Sequence, residues 1–517
     1  MSLETTWLKT TTLNRGQDHL GTRAVCEILY IQLLPGITNV TDRGRYYTLY
    51  PWLLWAMDRE EVPPDERVAW FRRADCLLTL IALRHGAGED HSRSAVGSEK
   101  LVKALRTAVE SGGRITLSTW ARTDEHTDRY FANQRGGLGQ YYLGPLEALS
   151  VVGRGDGGLT WSTTYGRRFA EAVDAPVDRT RFVQCVSRDA VDLEDLDALR
   201  GLCLCGLDGA EREALSELMW ADGARRNSLG LILALADQLP TGARLDLPTF
   251  RGATVSGVLP DGARWQLSTG LARARQRWEV YQRSEWLSVA IQGLFWATLK
   301  EAQRSEHELR SFAAFGDLAV ERFGGQLGLD DARPFDEAVA QVCAGLPDPE
   351  EWTDEQHEHQ RAHRIVRVPS PAEVARDAVH LLLAMVGRSP LAAGFAGVEV
   401  APRQLEQYPV NLVTLHHRRA IWSGKPVREV LHDLVTTWGV RLHERVALRK
   451  LRYQMNDTFQ VRRTEEGSLV VEGVPLPVFG SPRFDQAVRM LQDLGALDRR
   501  TRRPTALGAR LLGGVDE

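Results

Sequence analysis

The side chains of this chain that could do chemistry are arginines set among aromatic residues, and one run of histidines. In His443–Tyr453, Arg445, Arg449 and Arg452 recur at helical spacing and fall on one side of a helix. Val446, Leu448 and Leu451 are then free to face a core, and Lys450 adds a further cation. Tyr453 and Phe459 follow closely. Upstream lies His416-His417-Arg418-Arg419, and near the C-terminus Arg499, Arg500, Arg502 and Arg503 crowd one turn. Guanidinium groups displace counterions from a phosphate backbone, and aromatic rings stack on bases. These residues are therefore candidate nucleic-acid contacts, and so is the pair Arg167 and Arg168. The plainer reading of the same pattern is a solvated or protein-contacting amphipathic face.

Arg43 and Arg45, with Tyr46, Tyr47, Tyr50 and Trp52, form a second dense arginine–aromatic group. Here the expectation is mixed: Tyr46 or Tyr47 packed in a core, and at least one of the two arginines exposed on a functional face that recognises phosphate or carboxylate. The run Glu355-Gln356-His357-Glu358-His359-Gln360-Arg361-Ala362-His363 puts His359 and His363 four residues apart, with Glu355 a turn earlier. That spacing suits a metal, but the neighbours are nearly all polar, so a solvated helix face is expected and no metal site. Cys203 and Cys205, in Leu-Cys-Leu-Cys, read as buried thiols rather than zinc ligands, and the other four cysteines are scattered. This cysteine usage points to a reducing compartment.

Sequence motifs of catalysis are missing. There is no glycine loop followed by Lys-Ser/Thr, and Ser423-Gly424-Lys425-Pro426 lacks both the loop and the hydroxyl. There is no His-Glu-x-x-His, no Gly-x-Ser-x-Gly and no His-x-Lys pattern. No catalytic residue and no cofactor are expected.

The chain has 517 residues, 43% hydrophobic and 26% charged, the composition of a folded protein with several domains. Its net charge of −4 is unevenly spread. Phe182–Asp222 holds three arginines against ten acids, whereas His416–Arg510 holds eighteen Lys and Arg against ten. The C-terminal part is thus the natural face for an anionic partner. The N-terminus has no basic-then-apolar leader, and no apolar run reaches the ~20 residues of a membrane span. A cytoplasmic protein with no membrane contact is expected.

The elements that must position these residues read as helices. Apolar periodicity marks Gly21–Leu34, Tyr46–Met57 with Pro51 as a kink or late start, Glu66–Arg84, Glu211–Trp220, Leu229–Gln238, Arg277–Arg304 and Ala372–Val386. Two segments resemble each other, Tyr141–Ala170 and Phe484–Leu512. Each is a helix, a short hairpin, then Thr-x-x-Gly and another helical turn, the pattern of the third helix and wing in winged-helix modules. The expected fold is mainly α and multi-domain, with one or two winged-helix-like modules and minor β hairpins. The division is a helical domain at 1–110, a winged-helix-like module at 111–178, a central helical domain at 179–345, a linker or exposed excursion at 346–371, and a basic C-terminal domain at 372–517 containing the second winged segment.

The stretch Leu34–Trp52, with Pro35-Gly36, Thr41, Arg43, Arg45-Tyr46 and Pro51-Trp52, resembles a bacterial family of unknown function that shares an apolar-Pro-Gly-x-Ser/Thr…Thr-x-Arg-x-Arg-Tyr…Pro-Trp motif. The resemblance implies a place in phage-defence islands and brings no catalytic residues. Together these readings point to a non-enzymatic, DNA-associating or scaffold subunit. Double-stranded DNA and protein partners in a multi-subunit complex are the expected ligands. The alternatives are a pure protein-interaction subunit docking a helicase or nuclease, and a metal-dependent nuclease whose ligands lie far apart in sequence.

Overall fold

Ser268 accepts a hydrogen bond from the Leu271 amide and so starts a helix of 36 residues, Thr269–Arg304. From Val280 to Leu299 nearly every residue of it is buried, so it is a core helix wrapped on all sides. Leu247–Ser256, Phe312–Phe323, His357–Arg367 and Pro371–Arg388 pack around it. Gly293 lets the helix His357–Arg367 approach closely, because a methyl group there would meet Ile365 and Val374.

The computed structural model describes residues 18–86, 94–155, 158–207, 209–306, 308–348, 350–351, 357–388 and 408–515. It is 63% helical, and strands occur among the described residues only as three two-stranded antiparallel pairs. The expected mainly helical class with small hairpins is what the structure has.

The chain forms two compact units, each built from two separate stretches: Met1–Tyr30 with Gln238–Ser481, and Ile31–Asp237 with Pro482–Glu517. This division differs from the contiguous scheme read from sequence. The basic segment 372–517 is shared between the units, with Arg418–Arg452 in the first and Arg499–Arg503 in the second. The segment 346–371 contains a packed helix, His357–Arg367, with Glu358, His359, Ala362 and Ile365 buried.

The second unit is organised around Leu34–Trp52. Tyr46–Arg59 is a helix that runs through Pro51, and Tyr46, Tyr47, Tyr50 and Trp52 are fully buried. Tyr46 stacks on Tyr50, and both rings contact Tyr142. The polar ends are satisfied from distant segments: the Val96 amide donates to Tyr46, Tyr47 donates to the Gly36 carbonyl, Tyr50 to Asp75, and the Trp52 indole to Asp174.

The two similar segments are built alike. Each is a helix, a reversal and a second helix: Leu143–Ala148 then Gly166–Asp174, and Phe484–Asp493 then Ala506–Gly513. In the first reversal Val152–Gly155 pairs with Gly158–Trp161; in the second a single bridge joins Leu497 and Pro504. The Ser162 amide returns to the Val151 carbonyl at 2.9 Å, and the Thr505 amide to the Ala496 carbonyl at 3.0 Å. The hydroxyls of the same two residues accept from the amides of Gly166 and Gly508 at the start of the next helix, Thr505 as its N-cap and Ser162 from three residues before the N-cap position, Tyr165. A side chain at either glycine would overlap the Val151 or Ala496 carbonyl. The equivalent of Thr505 in the first segment is thus Ser162, one residue before the Thr163-x-x-Gly166 read from sequence. The short strand Ile115–Thr116 pairs with Ala190–Val191 and leaves the Val152–Trp161 hairpin two-stranded.

Candidate nucleic-acid interface

Leu434–Val440, a π-helical turn, leads directly into the helix Arg441–Gln454 in the first unit. Leu442, His443, Val446 and Ala447 are its buried face. Arg441, Arg445, Arg449 and Arg452 fall within an arc of about 80° on the opposite side, at ~100° per residue. Arg441, Arg445 and Arg452 are exposed and Arg449 is half-buried. None of the four forms an ion pair with a described residue. Arg449 lies over the Tyr408 ring at 5.2 Å, and Arg452 over Tyr453 at 5.4 Å. Leu448, 52% exposed, shares the stripe; it does not face the core as its apolar character suggested. Tyr453 and Met455 close the helix at 73% and 79% exposure. Glu444 is the exposed acid of this helix. Lys450 turns to the other side, where its ammonium donates to the Asp18 carbonyl and burial lowers its pKa.

The remaining candidates are engaged to different degrees. On the helix Leu412–Trp422, Arg418 pairs with Asp433 at 3.0 Å, while Arg419 is exposed beside the exposed His416 and His417. In the second unit Arg167 pairs with Glu171 and Arg168 with Glu217, so both guanidinium groups are held by acids at the surface. The turn Asp498–Arg503 is nucleated by the Asp498 carboxylate, which accepts from the amides of Arg500 and Thr501. From it Arg499 reaches Asp493 and Arg503 donates to the Ala236 carbonyl, leaving Arg500 exposed at the tip and Arg502 at a left-handed φ of 53°.

Arg43 and Arg45 require correction. Both are buried, at 6% and 1% exposure. Arg43 pairs with Asp493 at 2.9 Å and Arg45 pairs with Glu211 in a two-pronged contact. Acids from segments remote in sequence neutralise them, and neither arginine is exposed.

The helix Phe484–Asp493, which the winged-helix pattern makes the reading helix, spends its polar side on its own chain. Arg483 donates to the Ile37 carbonyl, Gln486 to the Asn39 carbonyl and to Asp42, and Arg489 pairs with Asp42. Asp493 accepts from the Gly44 amide at 2.8 Å. The side chains that would enter a groove are occupied by Asn39–Gly44.

The histidine run is packed, contrary to the solvated face expected. His359 accepts from the Trp286 indole at Nδ1, and its Nε2 lies 3.3 Å from an Arg251 nitrogen. Arg251 in turn contacts Gln282 and Glu285. His363 meets His359 edge-on, and Phe479 packs on both rings. Burial holds His359 down to about 3. Glu355 and Gln356 lie outside the described residues. Sequence reasoning had missed Arg441 and the exposed Leu448 and Met455; the four-residue step from Arg441 to Arg445 was the available signal.

No family model, curated protein or solved structure matches this chain.

Proposed function

We propose that this chain is a non-enzymatic, DNA-associating subunit of a larger protein assembly, in the bacterial defence context that the Leu34–Trp52 resemblance implies. Its contact to the duplex is the stripe Arg441, Arg445, Arg449 and Arg452. One contrast supports this reading. Some surface arginines, such as Arg167, Arg168, Arg418 and Arg462, are matched to acids, whereas here four arginines gathered on one helix face are left without a carboxylate among the described residues. A phosphate backbone supplies the missing anions in a row, and the exposed Tyr453 offers a ring for stacking or a hydroxyl for a phosphate oxygen. The packed Arg483–Asp493 side means that the duplex is met through phosphates rather than by a reading helix, so binding is salt-dependent and weakly sequence-selective.

The test is fluorescence anisotropy with a labelled duplex over a range of salt. The triple variant R445E/R449E/R452E weakens binding and flattens the salt slope by roughly 3, at about one per lost phosphate contact. Unchanged affinity and slope would refute the reading.

A second reading has its own support. Leu448, Tyr453 and Met455 put exposed apolar surface among the cations, the composition of a patch that meets an acidic protein partner. On that reading the triple variant loses the partner while the wild-type protein shows no duplex binding.

A further inference from the structure

We propose that His85, Cys203 and Cys205 form a zinc site in the second unit. Their ligand atoms all lie within 4.8 Å of one another, and the two sulfurs are 3.4 Å apart. Tetrahedral zinc, with bonds of about 2.3 Å to sulfur and about 2.0 Å to nitrogen, wants separations of roughly 3.5–3.8 Å. A small rotation of the exposed His85 and Cys205 side chains closes the remaining gap. Two thiolates and an imidazole are a soft donor set suited to zinc, and three protein ligands leave a fourth position for water.

The backbone explains why the ligands meet. Cys203 enters a tight turn with extended backbone, φ −62° and ψ 144°, and Leu204, the next residue of the turn, is buried in the core while the two thiols flank it 3.4 Å apart. The Gly206 amide closes the turn onto the Cys203 carbonyl at 2.9 Å. His85 ends the helix Arg67–His85, and the neighbouring Arg84 fixes that helix end by pairing with Asp197 at 2.8 and 2.9 Å. The motif arginines hold the cysteine loop from behind. Arg45 donates to the Cys203 carbonyl and Arg43 to the Leu204 carbonyl at 3.4 Å. They are positioning residues for the ligand loop, a role that also accounts for their burial. The ring and thiols sit at the edge of the unit, with Cys203 buried and Cys205 exposed, so an ion can enter.

Binding is coupled to protons. Zinc replaces the two thiol protons, which leave to solvent, so affinity rises with pH.

The experiment uses the full-length protein, purified under reducing conditions and titrated with cobalt(II) as a spectroscopic stand-in, alongside elemental analysis for zinc. One equivalent of cobalt is expected, with sulfur-to-metal charge-transfer absorption and the visible bands of a four-coordinate ion, both displaced by one equivalent of zinc. Cys205→Ser and His85→Ala each remove the stoichiometric binding. Both positions are exposed, and unchanged circular-dichroism melts of the metal-free variants show that the fold is intact. Cys203→Ser removes binding too, but being buried it is the weaker variant. Absence of thiolate–cobalt absorption in the wild-type protein would overturn the proposal. So would unchanged binding in Cys205→Ser and His85→Ala, or a Cys203–Cys205 disulfide in the reduced preparation.

Discussion

Arg45 and Glu211 face each other as a two-pronged ion pair, Nε to Oε1 at 3.0 Å and Nη2 to Oε2 at 2.9 Å, with both side chains almost fully buried. Thr48 donates to the same carboxylate, so Glu211 ties the start of the helix Tyr46–Arg59 to the helix Gly209–Ala221. Removing one partner leaves the other charge buried and unpaired. Arg45→Ala and Glu211→Ala are each expected to destabilise the unit by about 3–5 kcal/mol. The double variant loses clearly less than the sum of the two. Urea denaturation of the three variants checks this; additive losses would show that the pair does not act as a unit.

Acid should act on the first unit through its histidines. The His443 Nδ1 donates to the His19 carbonyl while its Nε2 accepts from the Gln460 amide, so the ring is held neutral and a second proton has no acceptor. Burial lowers His443 to about 4 and His359 to about 3. The unfolded chain takes up these protons near pH 6.5 and the folded chain does not. The associated stability is complete above that pH and falls on acidification, by roughly 2 kcal/mol per ring at pH 5. Denaturation midpoints at pH 7.5 and pH 5 measure it. His443→Gln, which keeps a donor and an acceptor, should show about 2 kcal/mol less loss between those conditions; an identical loss contradicts the assignment.

Asp75 in the second unit has the opposite sign. Burial raises its carboxyl to about 6, against the hydrogen bonds from Gly137, Tyr130 and Tyr50 that favour its charge. The folded state therefore keeps a proton that the unfolded chain gives up near pH 4. The resulting stability is present below that pH and lost as pH rises through 6, roughly 2–3 kcal/mol between pH 4 and pH 7. Asp75→Asn cannot titrate, so the difference between its pH profile and that of the wild type should show this fall. Parallel profiles would remove Asp75 as the cause.

Much of the helical framework was legible in the sequence because apolar periodicity is local. The helix forecast over Arg277–Arg304 exists as Thr269–Arg304, and Glu66–Arg84 as Arg67–His85. The environment of charged residues was not legible. At least one of Arg43 and Arg45 read as a surface group because their neutralising acids, Asp493 and Glu211, lie far along the chain. The same holds for Cys203 and Cys205, whose third neighbour His85 is brought in only by the fold. His359 looked solvated because its sequence neighbours are polar, yet Trp286 and Phe479 cover it from other segments. The Thr-x-x-Gly pattern put Thr163 in register with Thr505, whereas the residue whose amide returns to Val151 and whose hydroxyl receives the Gly166 amide is Ser162, a register that only the folded reversal fixes.

The two reversal glycines provide a check on the internal likeness of the second unit. Gly508→Ala and Gly166→Ala each press a methyl group onto a carbonyl that already receives the Thr505 or Ser162 amide. Each is expected to destabilise the unit by about 1–3 kcal/mol. Gly144→Ala, where nothing lies within 4 Å of the added carbon, should be neutral or slightly stabilising in its helix. Thermal melts of the three single variants test the contrast, and similar melts for all three would refute it.

The most direct test of the proposed function is the salt dependence of duplex binding by wild type, R445E/R449E/R452E and R167E/R168E. The first set removes arginines without acidic partners, the second removes arginines already paired with Glu171 and Glu217. The expected result is a slope of log affinity against log salt that flattens by roughly 3 in the first variant and by less than about 1 in the second. Equal slopes in all three proteins, or no measurable duplex binding by the wild type at low salt, would contradict it.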